Sequence, residues 1–237
     1  MTSPAVIFKC ATHLGYKRHI NEDAYLACPE LGLWVVADGM GGHNNGSVAS
    51  QLAVEQINLQ VKNGASLVNA IQNSHLAILQ AGQKNPFNQG MGCTVVALKI
   101  IGQDYEIAAV GDSRAYLWGN AHLIQLTHDH TLVQSLINQG VITDEQAKIH
   151  PNRNVLTQAL GSTHHDEMAI DILNGKLHPT EQLLLCTDGL TNRVSDAKIA
   201  DLLARQNEVE TTVENLIQAA LAAGGQDNIT AVLLRLC

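Results

Sequence analysis

Carboxylates recur in this chain at the points where short apolar segments begin or end. Four of these acids lie beside a glycine or within a few residues of one, as in the segments VVADG, AVGD, CTDG and GGQD. Asp-Gly and Gly-Asp pairs are common in tight turns, and turn chemistry explains any one of them taken singly. The acids are Asp38, Asp112, Asp188 and Asp227, with Glu22 and Asp23 just before a further apolar segment near the N-terminus.

Taken together, these acids indicate a metal centre. Carboxylates that converge where strand ends meet repel one another, which raises their pKa values and destabilises the fold. Divalent cations relieve that repulsion, and a ligand set made only of oxygen favours Mg²⁺ or Mn²⁺ over zinc. We therefore expect a magnesium or manganese site rather than a set of unrelated turns.

Arg18 is the basic side chain that such a centre would need if its substrate were a phosphate. It lies four residues before Glu22 in an otherwise acidic neighbourhood. Its planar guanidinium can bind two phosphate oxygens at once. Without the surrounding motif, a solvent-exposed surface arginine is an equally good interpretation.

The composition limits the classes of protein that can hold this site. The 237 residues are 46% hydrophobic and 15% charged, which excludes a disordered chain or a coiled coil. A net charge of −8 argues against binding to nucleic acid or to an anionic membrane surface, which both attract basic proteins. Five cysteines without C-x-x-C spacing predict a reducing cytoplasm, and no segment has the pattern of a signal peptide or a membrane span.

Hydrophobic periodicity places the acids on the elements of an α+β fold. Amphipathic patterns predict helices at 46–61, 65–80, 197–206 and 209–223. The segments from about 93 to 126 are joined by connections too short for crossover helices, so we expect an antiparallel meander there. Two sheets packed face to face, with helix layers outside, fit this order. Strands are predicted at 6–12, 33–37, 94–101, 105–110, 115–118, 183–186 and 229–236.

Residues 127–165 differ from their surroundings and form a polar, helical insertion between strands. One short helix is predicted to end at Gly140, and a second has Thr143 and Gln146 at capping-box spacing before Pro151. We interpret the insertion as a surface flap, since loops set on a rigid sheet often carry recognition.

Five motifs in order along the chain resemble those of the PPM-type (protein phosphatase 2C) metal-dependent protein serine/threonine phosphatases, in their compact bacterial form. They are RHINED at 18–23, DGMGGH at 38–43, VGDSR at 110–114, TDGL at 187–190 and GGQDNIT at 224–230. The resemblance extends from about residue 6 to residue 236, and the segment PNRNVLT at 151–157 resembles that family's flap subdomain.

The resemblance implies one PPM-type domain over residues 1–237, with the flap inserted at about 127–165. The implied fold is a four-layer α-β-β-α sandwich with two central antiparallel sheets flanked by helices, plus the small helical flap. Its implied centre holds two Mn²⁺ or Mg²⁺ ions. Asp38 would bridge the two ions and Gly39 would contribute its backbone carbonyl. Asp188 and Asp227 would complete the shell of one ion, and Glu22 would bind the other.

Three further residues receive implied roles from the same motifs. Asp23 would be a supporting acid behind the ligands, and Asp112 would contribute to a third, weaker metal site. Arg18 would hold the substrate phosphate. A water activated by the metals would then hydrolyse phosphoserine or phosphothreonine in proteins without a covalent phosphoenzyme.

The general acid is the point at which the chain departs from many eukaryotic relatives, which carry a histidine directly after the Asp-Gly pair. Here Met40 occupies that position, and Met40 cannot donate a proton. His43 is the nearest histidine and is a possible proton donor; protonation by water is the hypothesis we favour.

The resemblance implies phosphorylated proteins as substrates and a cognate Ser/Thr kinase as the opposing enzyme. We expect a monomer, with neither nucleic acid nor a membrane as a partner. An inactive binding or sensor module with the same fold is the alternative, and a replaced metal acid would favour it. Glu22, Asp38, Asp188 and Asp227 are all present.

Two other phosphatase chemistries fit the sequence poorly. A cysteine-dependent phosphatase needs C-x₅-R, and Cys186 and Arg193 are one residue too far apart for it. The segments HDH at 128–130 and HHD at 164–166 suggest an HD-type phosphohydrolase, but that class is built from helices whereas this chain is rich in predicted strands.

Overall fold

The computed structural model describes residues 5–41, 45–85, 88–162, 168–205 and 208–237. The strands in these ranges are β1 (Val6–His13), β2 (Asp23–Cys28), β3 (Leu33–Met40), β4 (Gly92–Cys93), β5 (Val95–Ile101), β6 (Asp104–Val110), β7 (Arg114–Gly119), β8 (His122–Gln125), β9 (Asp171–Lys176), β10 (Gln182–Cys186) and β11 (Ile229–Leu236). The helices are α1 (Asn45–Lys62), α2 (Leu67–Lys84), α3 (Leu132–Asn138), α4 (Asp144–Lys148), α5 (Asp188–Thr191), α6 (Asp196–Ala204) and α7 (Val209–Ala222).

The strands form two sheets whose pairings are all antiparallel. The first sheet has the order β1-β11-β10-β7-β8. The second sheet has the order β2-β3-β5-β6-β9, and β4 pairs with β3 beside it.

Alternating side chains along the strands explain why the sheets stack with helices outside, because successive residues of a strand point to opposite faces. Along β3, Leu33 and Val35 pack with α1 and α2, whereas Trp34 and Val36 face the first sheet. Strand β11 alternates in the same way between the space shared with α6 and α7 and the space between the sheets. Three apolar cores therefore separate four layers, and the predicted α-β-β-α sandwich is confirmed.

Side-chain caps explain where several helices begin. Ser66 accepts a hydrogen bond from the Asn69 amide at the start of α2, and Ser195 accepts one from the Lys198 amide at the start of α6. The four long helices agree with the predicted helices to within a few residues, although residue 206 of the third prediction lies outside the described residues. None of the described helices is both long enough and apolar enough to cross a membrane.

The predicted meander from 93 to 126 is antiparallel, as expected, but it is not one continuous sheet. Strands β5 and β6 pair in the second sheet, whereas β7 and β8 pair in the first. The chain changes sheet at Gly111, where φ is +102° and a side chain would overlap Thr94. This passage places Asp112 between the two sheets. Strand β9 was not predicted from the sequence. It is an edge strand with alternate residues exposed to solvent, so it has no continuous apolar run.

The flap contains the two predicted short helices. Thr131 caps α3, Gly140 follows that helix with a φ of +70°, and the predicted capping box of Thr143 and Gln146 starts α4. Backbone bonds between Cys93 and Leu160 join the returning end of the flap to the second sheet. Residues 163–165 of the predicted flap lie outside the described residues.

Candidate active site

Antiparallel register brings the acids to one edge of the sandwich. Asp23, at the start of β2, is paired with Asp38 near the end of β3. By the alternation of β3, Asp38 shares the face of Trp34 and Val36, so its side chain belongs to the space between the sheets. The other acids precede β2 or β11 or follow β6 or β10, at the end of each sheet that faces the cleft.

A cleft of about 690 Å³ opens at this edge, and seven of the nine predicted site residues line it. The second sheet, the first sheet and the flap all contribute to its wall. Asp23 lies behind the cleft rather than in its lining, and His43 lies outside the described residues. The seven residues are Arg18, Glu22, Asp38, Gly39, Asp112, Asp188 and Asp227.

Burial first, and then the negative charges of neighbouring acids, raise the pKa values of three acids of the cleft. The pKa of Asp38 lies well above its ordinary value because of burial first and then the negative charges of Asp23 and Asp188. Burial, with the charge of Asp188, raises the pKa of Asp112 to about 8. The pKa of Asp188 is raised by burial and by the charge of Asp227. A cation in the cleft would reverse this penalty.

Asp188 has few hydrogen-bond donors around it: one amide bonds its carboxylate, and Asp38 can bond it only when one of the two acids is protonated. Its Oδ2 accepts a hydrogen bond of 2.9 Å from the Asn192 side chain. Its Oδ1 is buried and has no hydrogen-bond partner among the described residues. An unpartnered buried carboxylate oxygen is costly in a protein alone, but it is a suitable ligand for a hard cation.

Arg18 and Asp227 form an ion pair at the rim of the cleft. The Arg18 Nη2 lies 2.8 Å from the Asp227 Oδ2, and both side chains are substantially exposed, at 48% and 36%. The hydrogen bond with Asp227 raises the pKa of Arg18. Arg18 therefore supplies the positive charge that Asp227 faces in this arrangement. Among the described residues, no three Asp, Glu, His or Cys side chains are grouped closely enough to hold a single ion.

The backbone of Glu22 is held from three directions. Its amide donates to the Asn228 side chain at 2.8 Å, and its carbonyl accepts from the Gly39 amide and from the Ser50 hydroxyl. Gly46 is required beside it, because a side chain at that position would overlap the Glu22 carboxylate. Glu22 therefore approaches Gly39 and the cleft with a fixed backbone.

Asp23 ends a chain of hydrogen bonds that connects the two sheets and extends to the protein surface at Thr12. The hydroxyls of Thr230 and Thr187 donate to its Oδ2 at 2.6 and 2.9 Å. Thr230 also lies 2.8 Å from the Thr12 hydroxyl, which accepts from the Asn21 side chain. Burial raises the pKa of Asp23 to about 7, and the two threonine hydroxyls oppose that rise. Sequence reasoning identified Asp23 but missed these threonines, although Thr187 directly precedes Asp188 in the motif.

A second buried network fixes the base of the flap. Arg114 donates from Nε and Nη2 to the two oxygens of Asp129, at 2.8 and 2.6 Å, and from Nη1 to the Tyr116 hydroxyl. Such a bidentate arginine–carboxylate pair is strong and directional. His130, the next residue, exchanges backbone bonds with Gly111 and Thr157. Thr157 in turn lines the cleft, so the network connects the flap to the site.

The flap forms one wall of the cleft. Asn154, Leu156, Thr157, Gln158 and Ala159 all contribute to the lining. The sequence indicated the flap as a place for substrate contacts but did not single out these side chains.

Comparison with known proteins assigns the chain to a family. Residues 13–224 match the family model described as Protein phosphatase 2C. The chain is similar to the serine/threonine phosphatase stp of Listeria welshimeri, with 36% identity over 236 residues that cover 94% of this chain and 93% of that protein. These matches show that the chain belongs to the protein phosphatase 2C family.

Solved structures support the same assignment. The fold is similar to the crystal structure of the Mycobacterium tuberculosis serine/threonine phosphatase PstP/Ppp, with a TM-score of 0.90, 35% identity and 98% of each chain covered. It is also similar to the catalytic domain of a serine/threonine protein phosphatase PstP in complex with two manganese ions, with a TM-score of 0.85, 32% identity and 98% of each chain covered. Within its family, the protein is a metal-dependent serine/threonine phosphatase of the bacterial type.

Proposed function

We propose that the cleft hydrolyses phosphoserine and phosphothreonine in proteins at a centre of two Mn²⁺ or Mg²⁺ ions. The observation that carries this proposal is the group of partly buried acids with raised pKa values, in which Asp188 Oδ1 has no hydrogen-bond donor among the described residues while Asp38 is ionised. A protein tolerates such a group when a cation completes it. All the donors are carboxylate or carbonyl oxygens, which suits these hard cations.

The ligands divide by their place in the fold. Asp38, between the sheets, would contact both ions, with the Gly39 carbonyl beside it. Asp188 and Asp227, from the first sheet, would hold one ion, and Glu22 would hold the other.

Asp112 would contribute to a third, weaker site, because the change of sheet at Gly111 brings it to the same cleft. Asp23 would act from behind the cleft by fixing Thr187, the residue directly before Asp188.

The two ions, when bound, lower the pKa of a water and offset the charge of the phosphoryl group. Arg18 would exchange its partner Asp227 for the substrate phosphate and hold two of its oxygens. Its exposed position at the rim allows this exchange. Met40, which lines the cleft, has no proton to give, so the leaving oxygen takes its proton from water. His43 is the other candidate donor.

The biological setting follows from the reaction. A phosphatase acting on phosphoserine and phosphothreonine requires a Ser/Thr kinase that supplies its substrates, so we infer a cognate kinase as the opposing enzyme. We further infer that the protein acts in the cytoplasm as a monomer, with residues 1–237 forming one domain and the flap meeting the phosphoprotein.

Calorimetric titration with Mn²⁺ tests the site apart from turnover. We expect Asp188→Asn to weaken Mn²⁺ binding by at least about tenfold, because neutralising one ligand removes a charge-assisted contact. Asp201→Asn is the matched control, since Asp201 is an exposed acid of α6 that pairs with Lys198 and Arg205. Its Mn²⁺ affinity should equal that of the wild type.

Hydrolysis of p-nitrophenyl phosphate and of a phosphothreonine peptide completes the test. Both reactions should require Mn²⁺ or Mg²⁺, stop on chelation and fall sharply in Asp188→Asn. If the wild type binds Mn²⁺, loses that binding in Asp188→Asn and yet hydrolyses neither substrate, the protein is a binding module instead. Trapping of a phosphorylated cysteine or aspartate during turnover would contradict direct attack by water.

A further inference from the structure

A second cavity, of about 680 Å³, opens beside the acidic cleft. It lies between the C-terminal half of α2, the turn that precedes β4 and the end of the flap. Met40 and Ser162 line both cavities, so the two spaces meet there. We call this cavity the α2 groove, and its side chains include Met40, Ile78, Leu79, Gln83 and Met91.

The chemistry of the α2 groove contrasts with that of the cleft. No charged side chain is present among the described residues that line the groove, whereas the cleft contains Arg18 and several acids. Its exposed apolar surface comes from Leu79 and Met40, which are half-buried, while Ile78 and Met91 line it from the core. Methionine side chains adapt to different apolar partners, which suits a surface that accepts more than one sequence.

Met40 connects the two spaces. It pairs with Gly92 in the register of β3 and β4, and a side chain at Gly92 would overlap the methyl end of Met40. Met40 is two residues beyond Asp38 on the same strand, a distance of about 7 Å at the usual rise of a strand. Two residues of an extended peptide span the same distance.

We propose that the α2 groove binds the substrate segment that flanks the phosphorylated residue. An apolar side chain of that segment, within three positions of the phosphorylated serine or threonine, packs against the half-buried Leu79 and Met40. The continuity of the groove with the cleft selects this occupant, because a phosphate held at the metal acids places the neighbouring residues at Met40. The inference rests on the proposed phosphatase function and specifies its substrates.

Peptide hydrolysis by a groove variant tests the proposal. The variant is Leu79→Gln, which replaces a partly buried apolar side chain of the groove. Its matched control is Leu76→Gln, because Leu76 lies on the same helix, is 52% exposed and does not line the groove. The substrates are p-nitrophenyl phosphate and phosphothreonine peptides with leucine or asparagine at each position from −3 to +3.

In the wild type, we expect leucine at one or more positions to raise kcat/KM about tenfold over asparagine, which corresponds to about 1.4 kcal/mol. In Leu79→Gln this preference should fall to about twofold or less, whereas Leu76→Gln should keep it. Hydrolysis of p-nitrophenyl phosphate should be equal in all three proteins, since this small ester has no flanking segment.

Two results would overturn the proposal while leaving the phosphatase function intact. One is a leucine preference that is absent from the wild type or unchanged in Leu79→Gln. The other is a parallel loss of p-nitrophenyl phosphate hydrolysis in Leu79→Gln, which would show that the substitution acts on the cleft. Should Leu79→Gln fail to fold, Gln83→Glu decides the question, because it places a charge on an exposed position of the groove and should abolish the same preference. Failure of the wild type to hydrolyse any substrate with Mn²⁺ would refute the proposed function itself.

Discussion

The buried contacts of Asp23 allow a stability prediction that depends on pH. Thr230→Val removes a hydroxyl that donates to the Asp23 Oδ2 at 2.6 Å, with almost no change of side-chain shape. Burial raises the pKa of Asp23 to about 7, and the hydroxyls of Thr230 and Thr187 oppose that rise because they favour the charged carboxylate. The lost hydrogen bond therefore matters most when Asp23 is ionised.

The expected magnitude follows from the kind of hydrogen bond. A bond to a charged group contributes roughly 1.5–3 kcal/mol, so we expect Thr230→Val to lower the free energy of unfolding by about 2 kcal/mol at a pH about 1.5 units above the pKa of Asp23. At a pH about 1.5 units below that pKa, Asp23 is mostly protonated in the folded state, and the loss should fall to about 1 kcal/mol or less. Thr12, the other partner of Thr230, is exposed and can bond to water instead.

Urea denaturation of the metal-free protein at these two pH values measures the difference. Thr212→Val is the matched control, because Thr212 is 2% exposed and its hydroxyl donates to a neutral group, the backbone carbonyl of Glu208. Its loss of stability should be about 1 kcal/mol at both pH values. If Thr230→Val costs the same at both pH values, the assignment of a charged, buried Asp23 as the acceptor is wrong.

Two further predictions concern the cleft acids. The pKa values of Asp23, about 7, and Asp112, about 8, exceed the ordinary 3.8, so the folded protein holds more protons than the unfolded chain across this window. Without cations, the melting temperature should therefore fall as the pH rises from about 4 to 8. Saturating Mn²⁺ should raise the melting temperature, and most of all at about pH 8. Equal melting temperatures with and without Mn²⁺ in calorimetric scans would contradict this prediction. Gly46→Ala should weaken Mn²⁺ binding by at least about tenfold, because its methyl group overlaps both the Glu22 carboxylate and the Gly39 backbone. Titration calorimetry measures this effect, and an unchanged affinity would show that the position of Glu22 does not matter for the metal.

The acids of the cleft could be predicted from the sequence because each lies next to a short apolar segment. Asp112 and Asp188 follow strands whose short apolar runs are visible in the sequence, Asp38 lies near the end of another, and Asp227 precedes a fourth. An acid at a strand end lies at one end of its sheet, and antiparallel pairing gathers the acids of each sheet there; the packing of the two sheets then brings the two sets together. The cleft could therefore be predicted before its walls were known.

The change of sheet after β6 could not be predicted from the sequence. Strands β6 and β7 are separated by a short connection, and such a connection usually joins neighbours in one sheet. Only the strand pairing of the folded chain decides it, because β9 occupies the other edge of β6 and β7 pairs with β10 of the opposite sheet. Gly111 permits the turn, but a glycine in a sequence does not say which way the chain goes.

By itself, the sequence determined the family, the layered fold and the acids that gather at one edge, because these depend on the order of elements and on residues next to them. Only the tertiary structure decided which groups meet inside that frame. Arg18 and Asp227, which form an ion pair, are separated by 209 positions in the sequence, and Asp23 and Thr230, which are hydrogen-bonded, by 207. The groove beside Met40 likewise joins α2 to the end of the flap. Such contacts depend on strand register and on the distance between layers, and no local pattern of residues encodes either.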